Sequence, residues 1–218
     1  MTVPRIMIAT PVPCGAPGAG DVTVHYQISL LRVLQSFAAM HYGSANAFVN
    51  TDLVRARSRA VRAALDGCYT HLLFWDSDVG GDCASVLRGM LGTGADFIAA
   101  PYPRKNPSNR PTHEAPYVAM GFTLLSEACL RRMWDEYHDD LHFQDIVEGR
   151  PYRTVAMFQL LMVDAPNPHP HRVLLGEDFS FCERWLRIGG EIHLYDGPGA
   201  PLDHVGAHVF RMSKESIV

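Results

Sequence analysis

Apolar positions along this chain come in short continuous runs that alternate with stretches of near-3.6 spacing, and this alternation predicts strands interleaved with helices. Arg5 to Thr10 (RIMIAT) is a short buried first strand, and Pro11 to Gly15 a loop. Ile28, Leu31, Leu34 and Phe37 recur at helical spacing and predict a first helix within Asp21 to Met40. Ala47 to Val49 is a second strand. Asn50, Thr51 and Asp52 are capping residue types, and they precede Leu53 to Asp66, rich in Ala, Leu and Arg, the clearest helix in the chain. Gly67 stands where a left-handed C-cap is expected. His71 to Trp75 (HLLFW) is continuously apolar, which predicts a central strand buried on both faces. A helix over about Cys83 to Leu91 and a strand over Asp96 to Ala100 complete a β-α-β-α-β-α-β series. That order predicts an α/β fold with a Rossmann-like, mostly parallel central sheet flanked by helices.

The second half is less regular. Pro101 to Pro116 reads as a long loop, Val118 to Leu125 as a strand, Glu127 to Tyr137 as a helix, Glu177 to Ile188 as a helix, and Ile192 to Tyr195 as a short strand. Asp139 to Arg172, rich in Pro, His and Asp, yields no assignment. No repeat or linker interrupts the chain, so a single domain over residues 1–218 is expected, at a length of 218 residues.

Composition narrows the class. An apolar content of 47% with 19% charged residues is that of an ordered globular protein. The net charge of −4 gives no electrostatic ground for a nucleic-acid or anionic-membrane partner. Five scattered cysteines without a CxxC pair argue against a disulfide framework or a zinc ribbon and favour a reducing, cytoplasmic setting. No stretch has the length and apolarity of a signal peptide or a membrane span.

The candidate chemistry begins at Asp76 and Asp78, which flank Ser77 directly after HLLFW. In extended backbone, residues i and i+2 face the same side, so both carboxylates can meet one ligand. Ligands of wound α/β sheets collect beyond the C-terminal ends of the strands. An oxygen-seeking Mn²⁺ or Mg²⁺ suits such a pair, with substrate phosphates completing its shell. The competing reading is a solvated turn that caps the next helix. Glu177 and Asp178 open a helix, where carboxylates act either as caps or as a general base. His204 is either a third metal ligand or an ordinary histidine among the 11 in the chain. Arg55, Arg59 and Arg62 share one helix face while Arg57 points elsewhere. Most of these arginines are expected to be solvated, and one facing the crevice suits a nucleotide phosphate. Tyr102, Arg104 and Lys105 follow a strand end, within reach of the same ligand.

Taken in order, RIMIATP (5–11), ARSRA (56–60), LLFWDSDV (72–79), AAPYPRK (99–105), MGFTLL (120–125), GEDFSFCERW (176–185) and DHVGAHVF (203–210) resemble GT-A glycosyltransferases of the family-2-like branch. These belong to the nucleotide-diphospho-sugar transferase superfamily. The resemblance implies a metal-dependent, inverting transfer of a sugar from a UDP- or GDP-linked donor to an acceptor hydroxyl. Residues 1–100 would form the nucleotide-sugar half and 101–218 the acceptor half. It places Thr10 and Pro11 beside the base, Arg57 and Lys105 on the nucleotide, and Gly121 and Phe122 in the sugar or acceptor pocket. It assigns Asp76 to the ribose or the metal's water shell, Asp78 and His204 to the metal, and the catalytic base to Asp178 or its neighbour Glu177, with Asp178 the first choice. Ser58 departs from the Asn that similar sequences often carry. The His/Pro-rich stretch before Gly176 has no counterpart, so the acceptor is not legible.

Three alternatives share parts of this pattern. A haloacid-dehalogenase-type phosphohydrolase also follows a hydrophobic strand with DxD, but it places that motif near the N-terminus and needs a downstream lysine. Only Lys105 and Lys214 exist. A sugar nucleotidyltransferase would carry a basic Gly-rich loop, whereas Cys14 to Gly20 has the glycines without Lys or Arg. The third is a non-catalytic nucleotide-sugar-binding module.

Overall fold

A computed structural model describes residues 3–13, 23–37, 44–50, 52–105, 110–147, 149–164, 171–206 and 209–211. Cys14 to Gly20, Thr51 and His208 lie outside these residues. The elements run β1 (Ile6–Pro13), α1 (Val24–Phe37), β2 (Ser44–Asn50), α2 (Leu53–Asp66), β3 (His71–Trp75), β4 (Val79–Gly80), α3 (Cys83–Thr93), β5 (Phe97–Ala99) and β6 (Phe122–Ser126). They continue with α4 (Glu127–Leu141), β7 (His142–Val147), β8 (Arg150–Val155), β9 (Leu161–Asp164), β10 (Arg172–Leu175), α5 (Glu177–Arg187), β11 (His193–Leu194), β12 (Asp203–Val205) and β13 (Val209–Phe210).

The central sheet has six strands in the order β11-β5-β6-β3-β1-β2. β1 runs parallel to β2 and β3, and β11 parallel to β5, while β6 is inserted antiparallel between β3 and β5. The expected mostly parallel α/β sheet is therefore present, with one reversed strand. Period-two alternation divides its side chains between two cores. Ile6, Ile8, Leu73, Trp75 and Leu124 face α1 and α3. Met7, Ala9, Leu72, Phe74 and Leu125 face α2, α4 and α5. Continuous apolarity in HLLFW thus reflects burial on both faces, with Leu72 to Trp75 all fully buried.

α2 occupies the predicted span, with the Asp52 side chain accepting the Val54 N–H at 2.9 Å. Gly67 is not left-handed, however: its φ is −78°, and Cys68 carries the positive φ of 53°. What requires glycine there is close approach, because a Cβ would stand 2.4 Å from the Tyr69 ring.

β1 continues through Pro11 to Pro13, where a loop was expected. Beyond Ala9 it pairs with β2 alone. Prolines are tolerated at such one-sided positions because a missing N–H leaves no ladder bond unmade. In α1, the periodic Ile28 and Leu31 are exposed at 45% and 58%. The buried face is instead Tyr26, Ser29 and Val33. Tyr26 packs edge-on to Trp75 and meets the Thr10 hydroxyl at 2.6 Å, and Ser29 bonds the Gly81 backbone.

The unassigned stretch forms two antiparallel hairpins, β7–β8 and β9–β10. The first docks on α2. Its buried Asp145 pairs with Arg59 at 2.6 Å and Arg55 at 3.5 Å, and Thr154 donates to the Ser58 carbonyl at 3.1 Å. Arg59 therefore anchors a hairpin, whereas Arg55 stays exposed as expected while still pairing with Asp145. Among the described residues no helix is long and apolar enough to cross a membrane.

Candidate active site

β1 and β3 separate after Ala9, and Asp76-Ser77-Asp78 turns out of β3 into the gap. The backbone pins this turn from several sides. Asp76 N–H donates to the Gly121 carbonyl at 2.9 Å, Thr23 N–H to Ser77 at 3.0 Å, and Val205 N–H to Asp78 at 2.7 Å. The indole of Trp75 donates to the Val79 carbonyl at 2.9 Å. β4 then pairs antiparallel with β12, which puts His204 opposite Val79. The result is a cavity of about 240 Å³ lined by Pro11, Leu53, Arg57, Asp76, Ser77 and Asp78. The two aspartates share one cavity at the mouth of the central sheet, through a turn closed by the Val79 N–H on the Asp76 carbonyl at 3.1 Å rather than through the expected extended backbone.

Their immediate partners differ. Asp76 faces Arg57, with Nη2 at 3.5 Å, and the same guanidinium lies 3.3 Å from Asp178. Arg57 is 2% exposed and packs over the Phe74 and Phe158 rings, and among the described residues its Nε and Nη1 have no hydrogen-bond partner. Burial works against its charge, but Asp178 and Asp76 outweigh that and raise its pKa. Burial pushes the Asp76 carboxyl up to about 6; Arg57 opposes the rise, and Asp178 and Asp78 add to it. Arg57, expected on the nucleotide, lines the cavity and is at the same time a buried counter-ion that joins the two acidic motifs.

Asp78 turns towards Lys105 and His204. The Lys105 ammonium contacts its Oδ2, and His204 Nε2 lies 3.6 Å from its Oδ1. Burial opposes ionisation of Asp78, yet the proximity of His204 and Lys105 prevails and holds its carboxyl below the usual value. His204 Nδ1 stands 2.8 Å from the Pro103 carbonyl. A carbonyl only accepts, so Nδ1 carries the proton, and Nε2 is left facing Asp78.

These side chains bear on a divalent cation as follows. Among the described residues, no three His, Cys, Asp or Glu side chains are gathered closely enough to hold a metal. The expected trio of Asp76, Asp78 and His204 does not form such a group; Asp76 lies 3.5 Å from Arg57. Asp78 and His204 remain as one oxygen and one nitrogen donor, the imidazole oriented by a carbonyl as metal-ligating histidines are. The Lys105 ammonium already lodges a cation against Asp78. Two protein donors fit an ion that completes its shell with water and phosphate oxygens.

Gly121 acts through its missing side chain. Its N–H donates to the Tyr102 hydroxyl at 2.9 Å. A Cβ there would stand 2.2 Å from that hydroxyl and 3.0 Å from Asp76 Oδ2. Tyr102 itself is buried edge-on to His204, and burial beside Asp76 and Asp178 raises its pKa well above the usual phenol range. Arg104 pairs with Glu114 instead of the cavity.

Two expected pocket residues are placed otherwise. Phe122 is fully buried and packs edge-on to Trp75 at 5.0 Å, so it belongs to the core. Its position as the first residue of β6 turns it inward. Thr10 is 4% exposed with its hydroxyl held by Tyr26, while Pro11 lines the cavity. Glu177 and Asp178 open α5, and Asp178 Oδ2 accepts the Met120 N–H at 3.0 Å. Burial, Asp178 and, in the opposite sense, Arg57 set the Glu177 carboxyl, which stands above its usual pKa. Leu53, 38% exposed at the first position of α2, lines the cavity without having been singled out. A leucine directly after the capping residue Asp52 was its only mark in the sequence. The Pro103 carbonyl left none, since backbone atoms carry no sequence mark.

No family model and no curated protein matches the chain. Among solved structures it resembles the one described as A197 from STIV, at 13% identity and a TM-score of 0.49, covering 96% of this chain and 94% of that one. A glycosyltransferase involved in glycosylation of the major capsid of PBCV-1 aligns at 14% identity and a TM-score of 0.43, covering 88% and 82%. A CMP:2-keto-3-deoxy-manno-octonic acid synthetase complexed with CTP aligns at 12% identity and a TM-score of 0.44, covering 88% and 89%. At such identities and TM-scores these likenesses carry no argument about activity, which rests on the side chains described above.

Proposed function

We propose that this chain is a metal-dependent glycosyltransferase of the GT-A type, moving a sugar from a nucleoside-diphosphate donor to an acceptor hydroxyl with inversion. One observation carries the reading: Asp76 and Asp78 line a single cavity with Arg57 at the mouth of the sheet, and Asp178 reaches the same guanidinium from α5. Asp78 and His204 would hold Mn²⁺ or Mg²⁺, which supplies Lewis-acid stabilisation of the departing diphosphate. Pro11 and Leu53 offer apolar contact to the donor. Lys105, at an exposed loop position, exchanges its contact with Asp78 for the diphosphate. Glu177-Asp178 supplies a carboxylate to take the acceptor's proton. The phosphohydrolase alternative fares worse, because Asp76 as nucleophile would need a lysine, and Lys105 sits on Asp78.

Calorimetry of UDP and GDP binding, with and without Mn²⁺, tests this. The acidic pair repels a bare diphosphate, so affinity rises at least about tenfold, roughly 1.4 kcal/mol, when the metal is added. Asp78→Ala removes the gain. Equal affinities with and without metal contradict the proposal.

A further inference from the structure

Three consecutive carbonyls fix the backbone that follows β5. The Pro101 carbonyl accepts the Leu202 N–H at 2.9 Å, and the Pro103 carbonyl accepts the His204 Nδ1–H at 2.8 Å. Between them, the Tyr102 carbonyl accepts both the N–H and the hydroxyl of Thr112, each at 3.0 Å. The Tyr102 side chain, buried at 3% exposure, reaches two parts of the site from this fixed base. Its hydroxyl accepts the Gly121 N–H at 2.9 Å, and the Gly121 carbonyl in turn accepts the Asp76 N–H at 2.9 Å. One glycine therefore links the phenol to the backbone that carries Asp76. The phenol oxygen and Asp76 Oδ2 both lie within 3.0 Å of the point that a Gly121 Cβ would occupy. The Tyr102 ring meets the His204 imidazole edge-on, with centroids 5.0 Å apart and planes at 78°. The Pro103 carbonyl settles which imidazole nitrogen is protonated, but a single hydrogen bond leaves the ring free to tilt about it. The Tyr102 ring closes off that tilt, with Nε2 3.6 Å from Asp78.

We propose that Tyr102 is a positioning residue with two separable duties. Its hydroxyl holds Gly121 and, through it, the turn bearing Asp76. Its ring holds the His204 imidazole with Nε2 towards Asp78. The consequence for cation and nucleotide rests on the transferase reading above, whereas the two contacts are measurable without any ligand.

The test compares wild type, Tyr102→Phe and Tyr102→Leu in the full chain, first without ligand. The Phe variant keeps the ring and loses the hydroxyl. Its Gly121 amide exchanges with solvent at least about fivefold faster. The His204 Nδ1–H resonance, seen with isotope-labelled histidine and identified by its absence in His204→Ala, stays in place. The Leu variant loses both contacts, and that resonance moves or broadens away. Calorimetry then adds Mn²⁺. The Phe variant binds it within about twofold of wild type and the Leu variant about tenfold more weakly, the usual scale for a group that orients a metal ligand. With Mn²⁺ present, UDP and GDP bind the Phe variant about fivefold more weakly, because the Asp76 turn has lost a support. Adding Tyr102→Leu to His204→Ala weakens Mn²⁺ by no more than about twofold further, since no imidazole is left to hold. A residue that only supports packing would weaken Mn²⁺ equally in the Phe and Leu variants, or add its full effect to His204→Ala; either result overturns the assignment. So does a Gly121 amide that exchanges at the wild-type rate in the Phe variant, or an unmoved His204 resonance in the Leu variant. A wild type that binds neither Mn²⁺ nor nucleotide defeats the transferase reading, and the two ligand-free readouts then decide the positioning by themselves.

Discussion

Replacing Gly121 by Ala places one methyl group where two side chains of the site converge, Tyr102 and Asp76. The added Cβ would lie 2.2 Å from the Tyr102 hydroxyl, 2.6 Å from its ring carbon and 3.0 Å from Asp76 Oδ2. Tyr102 is 3% exposed and abuts His204, so its ring has little room to swing away. Overpacking of this kind costs about 1–3 kcal/mol. Displacing the hydroxyl also strips the Gly121 N–H of its acceptor, another ~1 kcal/mol. The sum is about 2–4 kcal/mol, and at roughly 2–4 °C per kcal/mol for a chain of this size Tm falls by about 5–15 °C. Because Asp76 is pushed as well, Mn²⁺-dependent UDP or GDP affinity falls in the same variant. Gly92→Ala is the control: it lies within α3 with nothing inside 4 Å of its would-be Cβ. It gains about 0.4–1 kcal/mol from lower unfolded-state entropy. Calorimetric unfolding of both variants decides the matter. A Gly121→Ala protein as stable as wild type would show that the Tyr102 hydroxyl and Asp76 do not crowd this glycine.

Three further variants probe the charges. Arg57→Met leaves Asp76 and Asp178 without their shared cation and destabilises by about 3 kcal/mol, the low end for a buried pair because both carboxylates keep some solvent. The loss in urea unfolding is larger at pH 8 than at pH 5, where protonation relieves the repulsion; a pH-independent loss argues against this pairing. Asp76→Asn works through linkage. A carboxyl raised from 3.8 to about 6 on folding contributes stability that is full below the unfolded value and lost as pH rises through the folded one. The Asn variant is therefore no more stable than wild type near pH 3.5 and gains steadily up to about pH 6, then holds that margin, as unfolding across this range will show. Lys105→Ala frees Asp78, so Mn²⁺ binds several-fold more tightly by calorimetry; weaker binding would mean that the lysine supports the cation site rather than competing for it.

Local pattern decided the elements whose signal is complete within a few residues. The N-capped α2 and the doubly buried HLLFW of β3 were readable because capping and continuous apolarity are properties of adjacent positions. Adjacency also made the shared cavity of Asp76 and Asp78 legible, and the acidic pair at the start of α5. The tertiary structure alone decided which groups these carboxylates meet. Arg57 reads as one arginine among several on a helix until packing buries it between two phenylalanine rings and hands it both Asp76 and Asp178. Asp145, 86 residues from Arg59, drew that one arginine of an expected solvated face into the anchor of a hairpin. α1 shows the limit of periodicity, since Tyr26, Ser29 and Val33 were chosen for burial by Trp75, Thr10 and Gly81 rather than by apolar spacing. A charge's energy depends on the solvent it loses and the partners it gains, and both are set by segments distant in the chain. Residue types therefore announced where chemistry would gather, while only the folded packing determined which partner each carboxylate meets.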